Sequence, residues 1–159
     1  MTSNGELRNG DPAPQFSLED TEKNEVSLSD YAGKWLVLYF YPKDNTSGCT
    51  AEAIDFTARI KDFEQLNAVI LGISPDSCKS HQNFTHKHSL KVNLLSDPDK
   101  EMLKDYGVWQ KKKMYGREYM GVVRTTVLID PEGKVAEIWH KVKVKGHAEA
   151  VLKKLSELS

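Results

Sequence analysis

Cys49 lies at a junction of sequence patterns that favours reactive chemistry. Residues 46–48 before it are small and polar, and residues 36–41 form a continuously apolar run of the kind seen in strands covered on both faces. After it, apolar residues recur at helical spacing over residues 50–66. We therefore expect Cys49 at the first turn of a helix, beyond the carboxyl end of a buried strand, where ligands bind in α/β sheets. Unpaired N–H groups and the helix dipole favour an anion there, so the pattern predicts a nucleophilic thiolate.

The only other cysteine is Cys78, and the chain has no Cys-x-x-Cys motif. Dithiol exchange of the kind that needs two cysteines on one helix turn is therefore excluded at Cys49. The alternative interpretation of Cys49 is a buried, inert thiol, which its position between a strand and a helix start disfavours.

A second cluster follows helical spacing. Cys78, His81, Thr85 and His88 would share one face of a single helix. Such residue types bind zinc, but zinc sites draw their ligands from paired motifs on more than one element. We therefore predict no metal site and expect this face to be polar and solvated.

The order of predicted elements indicates the fold class. A β-hairpin comes first, strands then alternate with helices, and a second hairpin and a helix close the chain. This order predicts an α/β, thioredoxin-like fold with a central mixed β-sheet flanked by helices and an N-terminal β-hairpin extension. Residues 1–10 are expected to be a flexible arm, and residues 11–159 a single domain.

Composition excludes several classes of function. Among the 159 residues, 22 basic and 23 acidic side chains give a formal net charge of −1, which argues against a nucleic-acid-binding protein. No apolar run approaches the roughly 20 residues of a membrane span, and the first residues do not resemble a secretion signal. We therefore expect a cytoplasmic protein with no membrane partner, in a compartment that keeps both thiols reduced.

Several ordered motifs resemble one enzyme family. Pro42-x-x-x-Thr46-x-x-Cys49 is similar to the active-site motif of peroxiredoxins. The wider string around it resembles the peroxiredoxin Q, or bacterioferritin comigratory protein, subfamily. The resemblance extends from about Gly10 to the C-terminus and includes the segments 72–77, 95–97 and 124–130.

This resemblance implies a role for each matching residue. Cys49 would be the peroxidatic cysteine, Thr46 a hydrogen-bonding hydroxyl, Pro42 a shield against solvent, Arg124 the guanidinium of the site and Glu52 the acid that orients it. A thiolate attacks one peroxide oxygen and the other leaves as an anion, so fixed donors near both atoms stabilise the moving charge. Arginine suits this task because its charge is permanent and its donors form a rigid fork. The product is a sulfenic acid on Cys49.

The family resemblance leaves the resolving step open. In relatives a second cysteine stands five residues after the peroxidatic one or on the next helix, but here those positions are Ile54 and Thr85. Cys78 lies on the same predicted helix as Thr85, two turns earlier, so its use would need a different rearrangement. Three routes stay open: Cys78 resolves within the chain, Cys78 pairs between subunits, or an external thiol resolves.

The resulting expectation is a thiol-dependent peroxidase for hydrogen peroxide and organic hydroperoxides. The sulfur does the chemistry, so no cofactor or metal is expected, and the resemblance implies a thioredoxin-like or other thiol reductant and a monomer. One alternative is a peroxide sensor or chaperone-like protein of the same fold, which would be oxidised at Cys49 without efficient turnover. Another is a thioredoxin-like binding module whose cysteines are inert.

Overall fold

A central sheet carries the whole architecture. The computed structural model describes residues 6–159, and in that range it shows nine strands and five α-helices. The strands are β1 (Ser17–Glu19), β2 (Glu25–Ser27), β3 (Trp35–Phe40), β4 (Ala68–Ser74), β5 (Asn93–Ser96), β6 (Trp109–Met114), β7 (Arg117–Val122), β8 (Thr125–Ile129) and β9 (Val135–Trp139). The helices are α1 (Ser47–Ala58), α2 (Ile60–Gln65), α3 (Cys78–His88), α4 (Glu101–Asp105) and α5 (His147–Leu158). No helix in residues 6–159 is long and apolar enough to cross a membrane.

Seven strands form one mixed sheet in the order β2-β1-β5-β4-β3-β8-β9. β3, β4 and β5 run parallel, whereas β8 is antiparallel to β3 and β9 is antiparallel to β8. The parallel strands with their crossover helices, the N-terminal hairpin β1–β2 and the closing hairpin β8–β9 confirm the predicted thioredoxin-like α/β fold.

Both faces of the sheet are covered by apolar clusters. Alternate residues of β3 point to opposite faces: Leu36, Leu38 and Phe40 pack with α4 and the N-terminal segment, and Val37 and Tyr39 pack with α1, α3 and α5. The continuous apolar run 36–41 was the signature of this double coverage. It places the end of β3 inside the molecule.

The predicted helix over residues 50–66 is wrong in its extent. The structure has two helices there, because the backbone leaves helical geometry at Arg59 (φ −108°, ψ 10°). The Arg59 guanidinium donates to the carbonyl oxygen of Asp55 at 3.1 Å and so satisfies one of the free acceptors at the end of α1. No glycine or proline marks this break in the sequence.

The N-terminal segment contacts the body of the protein from Leu7 onward. Leu7 packs against the apolar cluster, Asn9 donates to the Glu137 carboxylate, and the Gly10 N–H donates to the Val135 carbonyl at 2.7 Å. These contacts anchor residues 7–10, which were expected to be part of a flexible arm. Residues 1–5 of that predicted arm lie outside the described residues, and the division into arm and domain stays a prediction.

Candidate active site

Cys49 lies in the first turn of α1, directly after the loop that follows β3, as predicted. Its side chain is buried, with 1% of the residue exposed, and packs within the apolar cluster on the α1 side of the sheet. The helix begins at Ser47, so Cys49 belongs to the first turn, whose backbone N–H groups have no partner within the helix. Both cysteines are free thiols.

Arg124 reaches this thiol from the start of β8. Its Nη2 donates to the Cys49 sulfur at 3.1 Å, and its Nη1 donates to Glu52 Oε1 at 2.6 Å. Cys49 and Glu52 are three residues apart on α1, which puts them on the same face of the helix. The guanidinium therefore bridges the carboxylate and the sulfur, which brings three of the five predicted site residues together.

The charges of this trio are set by burial and by each other. Burial raises the pKa of Glu52 to about 7, although Arg124 pulls in the opposite direction. Burial alone would lower the pKa of Arg124, but the neighbouring Glu52 and Cys49 raise it overall, so the guanidinium stays charged. A permanent cation thus lies in contact with the candidate nucleophile, 3.1 Å from its sulfur.

Gly48 permits this close approach. A Cβ atom at Gly48 would lie 3.3 Å from Arg124 Nη2, closer than side chains ordinarily pack. The small residue before Cys49 therefore has a steric role that the sequence analysis did not assign to it.

The other two predicted site residues occupy the loop between β3 and α1. Thr46 is the N-cap residue of α1 and is exposed, and its hydroxyl donates to the Lys43 carbonyl at 3.0 Å. That bond orients the hydroxyl, whose oxygen can still accept a hydrogen bond. Pro42 is half-buried at the beginning of the same loop.

A buried polar network holds this loop, and the sequence analysis missed it. The Asp44 carboxylate accepts hydrogen bonds from the Tyr41 hydroxyl (2.6 Å), the Ser80 hydroxyl (2.7 Å) and His81 Nδ1 (2.8 Å). His81 Nε2 lies 3.0 Å from the Leu95 carbonyl oxygen. Both ring nitrogens of His81 therefore lie within hydrogen-bond distance of an oxygen atom.

This network joins the loop to the beginning of α3. The backbone N–H of Asp44 also donates to the Asp76 carboxylate at 2.8 Å. Burial alone would raise the pKa of Asp44, but the hydrogen bond and charge of His81 lower it overall, so this carboxylate is ionised. Asp44, Asp76 and His81 could in principle ligate a metal ion, but the same atoms already form these hydrogen bonds.

The expectation of a solvated polar face on α3 is wrong. His81 is fully buried and Cys78 is nearly so, because this face of α3 packs on the sheet beside Phe84. The signal in the sequence was Phe84, three residues after His81 and therefore on the same side of the helix.

Cys78 has different neighbours from Cys49. Its sulfur is 3.9 Å from Glu19 Oε1, at the end of β1, whereas Cys49 contacts Arg124 at the beginning of β8. Burial raises the pKa of Cys78, and the nearby Glu19 raises it further, so its thiol form is favoured.

The positions that carry resolving cysteines in relatives hold other residues. Ile54 is exposed on α1, and Thr85 lies on α3 with its hydroxyl oxygen buried. Among residues 6–159, that oxygen has no hydrogen-bond partner, and the same holds for Tyr39 Oη and Glu52 Oε2.

Comparison with known proteins agrees with this geometry. The model of the AhpC/TSA family matches residues 9–138. The chain is 47% identical to peroxiredoxin Bcp of Bacillus subtilis over 150 residues, which cover 94% of this chain and 96% of that protein. It is 48% identical to peroxiredoxin Bcp of Xanthomonas campestris over 143 residues, which cover 89% of each chain.

Solved structures show the same likeness. A structure of Xanthomonas campestris peroxiredoxin Q superimposes with a TM-score of 0.86 at 45% identity and covers 89% of this chain and 90% of that one. A cysteine mutant of Xylella fastidiosa PrxQ superimposes with a TM-score of 0.90 at 42% identity and covers 95% and 96%. The buried thiol at the start of α1, its arginine contact and these likenesses lead to one conclusion: the chain belongs to the AhpC/TSA family and is a peroxiredoxin of the peroxiredoxin Q/Bcp group.

Proposed function

We propose that this thiol peroxidase reduces hydrogen peroxide and organic hydroperoxides with Cys49 as its peroxidatic cysteine and an external thiol as its resolving group. The observation that carries the proposal is the 3.1 Å contact between Arg124 Nη2 and the Cys49 sulfur in a buried site. A relative supports the substrate class: a structural study of the Xanthomonas campestris bacterioferritin comigratory protein describes its alkyl peroxide reduction activity.

The reaction balances without any cofactor. The Cys49 thiolate attacks one peroxide oxygen, the O–O bond breaks, and the other oxygen leaves as an alkoxide or hydroxide that takes a proton from solvent. Cys49 becomes a sulfenic acid. A first external thiol then forms a mixed disulfide with Cys49 and releases water, and a second thiol restores Cys49 and leaves as a disulfide.

Each remaining site residue supports the movement of negative charge from the Cys49 sulfur to the leaving oxygen. Arg124 stabilises the thiolate and the negative charge that develops on the leaving oxygen, as a fixed donor does without reorganisation. Glu52 holds the guanidinium in place through the 2.6 Å bond. Thr46 offers its hydroxyl to the peroxide, and Pro42 limits the access of water to the loop.

The geometry favours an external resolving thiol over Cys78. Cys78 is buried with its sulfur 3.9 Å from Glu19 Oε1, whereas the buried Cys49 sulfur contacts Arg124, so each thiol has its own surroundings. The raised pKa of Cys78 also leaves it a poor nucleophile at neutral pH.

The cysteine positions of a related protein also support an external resolving thiol. Two cysteines have been mutated in Xanthomonas campestris peroxiredoxin Q, and they lie 36 positions apart in that chain. The residue 36 positions after Cys49 (85 − 49) is Thr85. The second cysteine of that relative thus has no counterpart at the matching distance here.

We also infer the setting in which the enzyme works. Cys49, Glu52 and Arg124 come from one chain, so a monomer contains a complete site. Both cysteines are free, which suits the cytoplasm, where a thioredoxin-like protein can supply the electrons.

Steady-state turnover tests the proposal. Peroxide consumption is followed with hydrogen peroxide and with cumene hydroperoxide, using dithiothreitol or thioredoxin with its reductase as the electron source. We expect repeated turnover of the wild type and of Cys78→Ser, and none of Cys49→Ser. A single oxidation without turnover would favour a sensor, and turnover that needs Cys78 would contradict the external route.

A further inference from the structure

The hairpin β6–β7 carries most of the exposed apolar side chains. Six large hydrophobic residues are exposed in residues 6–159, and four of them lie on this hairpin: Met114, Tyr115, Tyr119 and Met120. Tyr115, in the two-residue turn at the tip, is 97% exposed. Tyrosine and methionine are enriched at protein interfaces, so this concentration indicates a contact surface.

The same hairpin is strongly basic. Lys111, Lys112, Lys113 and Arg117 lie on it with a single acid, Glu118, which gives a formal charge of +3. The whole chain has a net charge of −1, so the rest of the molecule carries −4. Lys111 forms an exposed ion pair with Glu118 at 3.5 Å, and most of the positive charge on the hairpin remains uncompensated.

The hairpin extends from the active site. β7 ends at Val122, and Arg124, which contacts the Cys49 sulfur, follows two residues later. The base is fixed in the core, because Val108 and Val122 are buried and the Val123 N–H donates to the Val108 carbonyl at 2.8 Å. Beyond this base the two strands pair only with each other and extend for roughly 20 Å.

The two-residue turn gives the arm a defined shape. Tyr115 and Gly116 both have positive φ angles, 53° and 76°, as in the tight turns that match strand twist. Lys112 donates to the Val122 carbonyl at 3.0 Å and lies over Gly121 beside Tyr119. The basic and apolar side chains of the hairpin therefore lie on a regular pair of antiparallel strands.

We propose that this hairpin is the docking arm for the protein that reduces oxidised Cys49, and that this partner has an acidic surface with apolar residues around its reactive thiol. The inference rests on the proposed external resolving thiol. Such a partner must bring its sulfur to Cys49, and a basic, partly apolar arm that ends beside Arg124 is placed to hold it there. Complementary charge raises the rate of encounter and sets the orientation.

The test compares two pairs of charge reversals. Lys113→Glu with Arg117→Glu changes the outer part of the hairpin. The matched control, Lys87→Glu with Lys91→Glu, makes the same change in net charge near the end of α3, on the opposite face of the sheet. Each is assayed with a thioredoxin of net negative charge and with dithiothreitol, which is uncharged and needs no docking surface.

We expect the hairpin pair to lower kcat/KM for thioredoxin by about tenfold at low ionic strength and the control pair to change it less than twofold. The difference should shrink as salt is added. Turnover with dithiothreitol and the single-turnover rate of Cys49 oxidation should stay at wild-type values in both.

Three results would overturn the docking arm. If the hairpin and control pairs changed kcat/KM for thioredoxin equally, the effect would not be specific to the hairpin. An equal loss of turnover with thioredoxin and with dithiothreitol would place the effect in the active site. A lower dimer fraction in sedimentation, with unchanged kcat/KM, would assign the surface to a second copy of the chain. Failure of the wild type to oxidise at Cys49 would instead refute the proposed function.

Discussion

Glu52 combines a functional contact with a titration that stability measurements can detect. It is 1% exposed, it accepts the 2.6 Å hydrogen bond from Arg124, and burial raises its pKa to about 7 from an ordinary 4.5. The native protein therefore holds this proton more tightly than the unfolded chain does. The corresponding stability is fully present below pH 4.5 and is lost as the pH rises through about 7.

The size of the effect follows from the two pKa values. The difference between 4.5 and about 7 corresponds to about 3 kcal/mol, of which about 2.5 kcal/mol falls between pH 5 and pH 8. From Glu52 alone, the free energy of unfolding would be about 2.5 kcal/mol higher at pH 5 than at pH 8.

The titration of His147 has the opposite effect on the free energy of unfolding and offsets the contribution of Glu52 in the wild type. Burial, with a smaller contribution from Arg124, lowers the pKa of His147 to about 4 from 6.5. The unfolded chain takes up this proton first, so stability falls as the pH drops below 6.5. Between pH 8 and pH 5 the loss is roughly 1 to 2 kcal/mol once solvent screening is allowed for.

Glu52→Gln separates the two contributions. Glutamine keeps an acceptor for Arg124 but cannot take up the proton. We expect urea unfolding of the reduced wild type to give similar free energies at pH 5 and pH 8, and the variant to be less stable at pH 5. The change from pH 8 to pH 5 should differ by about 2.5 kcal/mol between the two proteins.

The control is Glu64→Gln, which changes an exposed residue of α2 in the same way. It should follow the wild type at both pH values. Parallel behaviour of Glu52→Gln and the wild type would refute the reasoning, since it would mean that Glu52 binds its proton equally in the folded and unfolded states.

Four further substitutions test the site and its supporting loop. Gly48→Ala should displace the Arg124 guanidinium by a few tenths of an ångström and slow Cys49 oxidation several-fold in stopped flow, while helix propensity adds up to about 1 kcal/mol of stability. His81→Asn should lower the free energy of unfolding by about 3 kcal/mol, because it removes the hydrogen bond from His81 to the buried Asp44 carboxylate. Adding Asp44→Asn should cost less than the sum of the single changes, and additive losses would contradict a coupled pair. Arg124→Lys keeps the charge but loses the forked donor, and should slow oxidation by about 100-fold; a rate near that of the wild type would show that charge alone suffices.

The fold could be predicted from patterns that depend on one element at a time. The apolar run 36–41 indicated a strand covered on both faces, and the spacing of Ala148, Val151 and Leu155 indicated the amphipathic helix α5. The break at Arg59 could not be predicted, because no glycine or proline marks it, and the side-chain bond to a backbone carbonyl that accompanies it has no signal in the sequence.

In the candidate site, too, some residues could be predicted from their sequence neighbours, and others depend on how distant elements pack. Cys49 followed from its own sequence neighbours, whereas Arg124 is 75 residues away and was found only through the family resemblance. The Asp44–His81 pair was missed because a histidine on a helix with several polar residues resembles a solvated face. Its burial depends on how α3 packs against the loop after β3, which is a tertiary property.

The most direct test of the central claim is the mass of the protein after a single oxidation. One equivalent of hydrogen peroxide is added to the reduced wild type, Cys49→Ser and Cys78→Ser, and the intact mass is read within seconds. The account predicts a gain of one oxygen atom in the wild type and in Cys78→Ser, no change in Cys49→Ser, and loss of the added oxygen when an external thiol is supplied. A wild-type protein that instead loses two hydrogen atoms, in a reaction that Cys78→Ser abolishes, would contradict it, because Cys78 would then be the resolving cysteine.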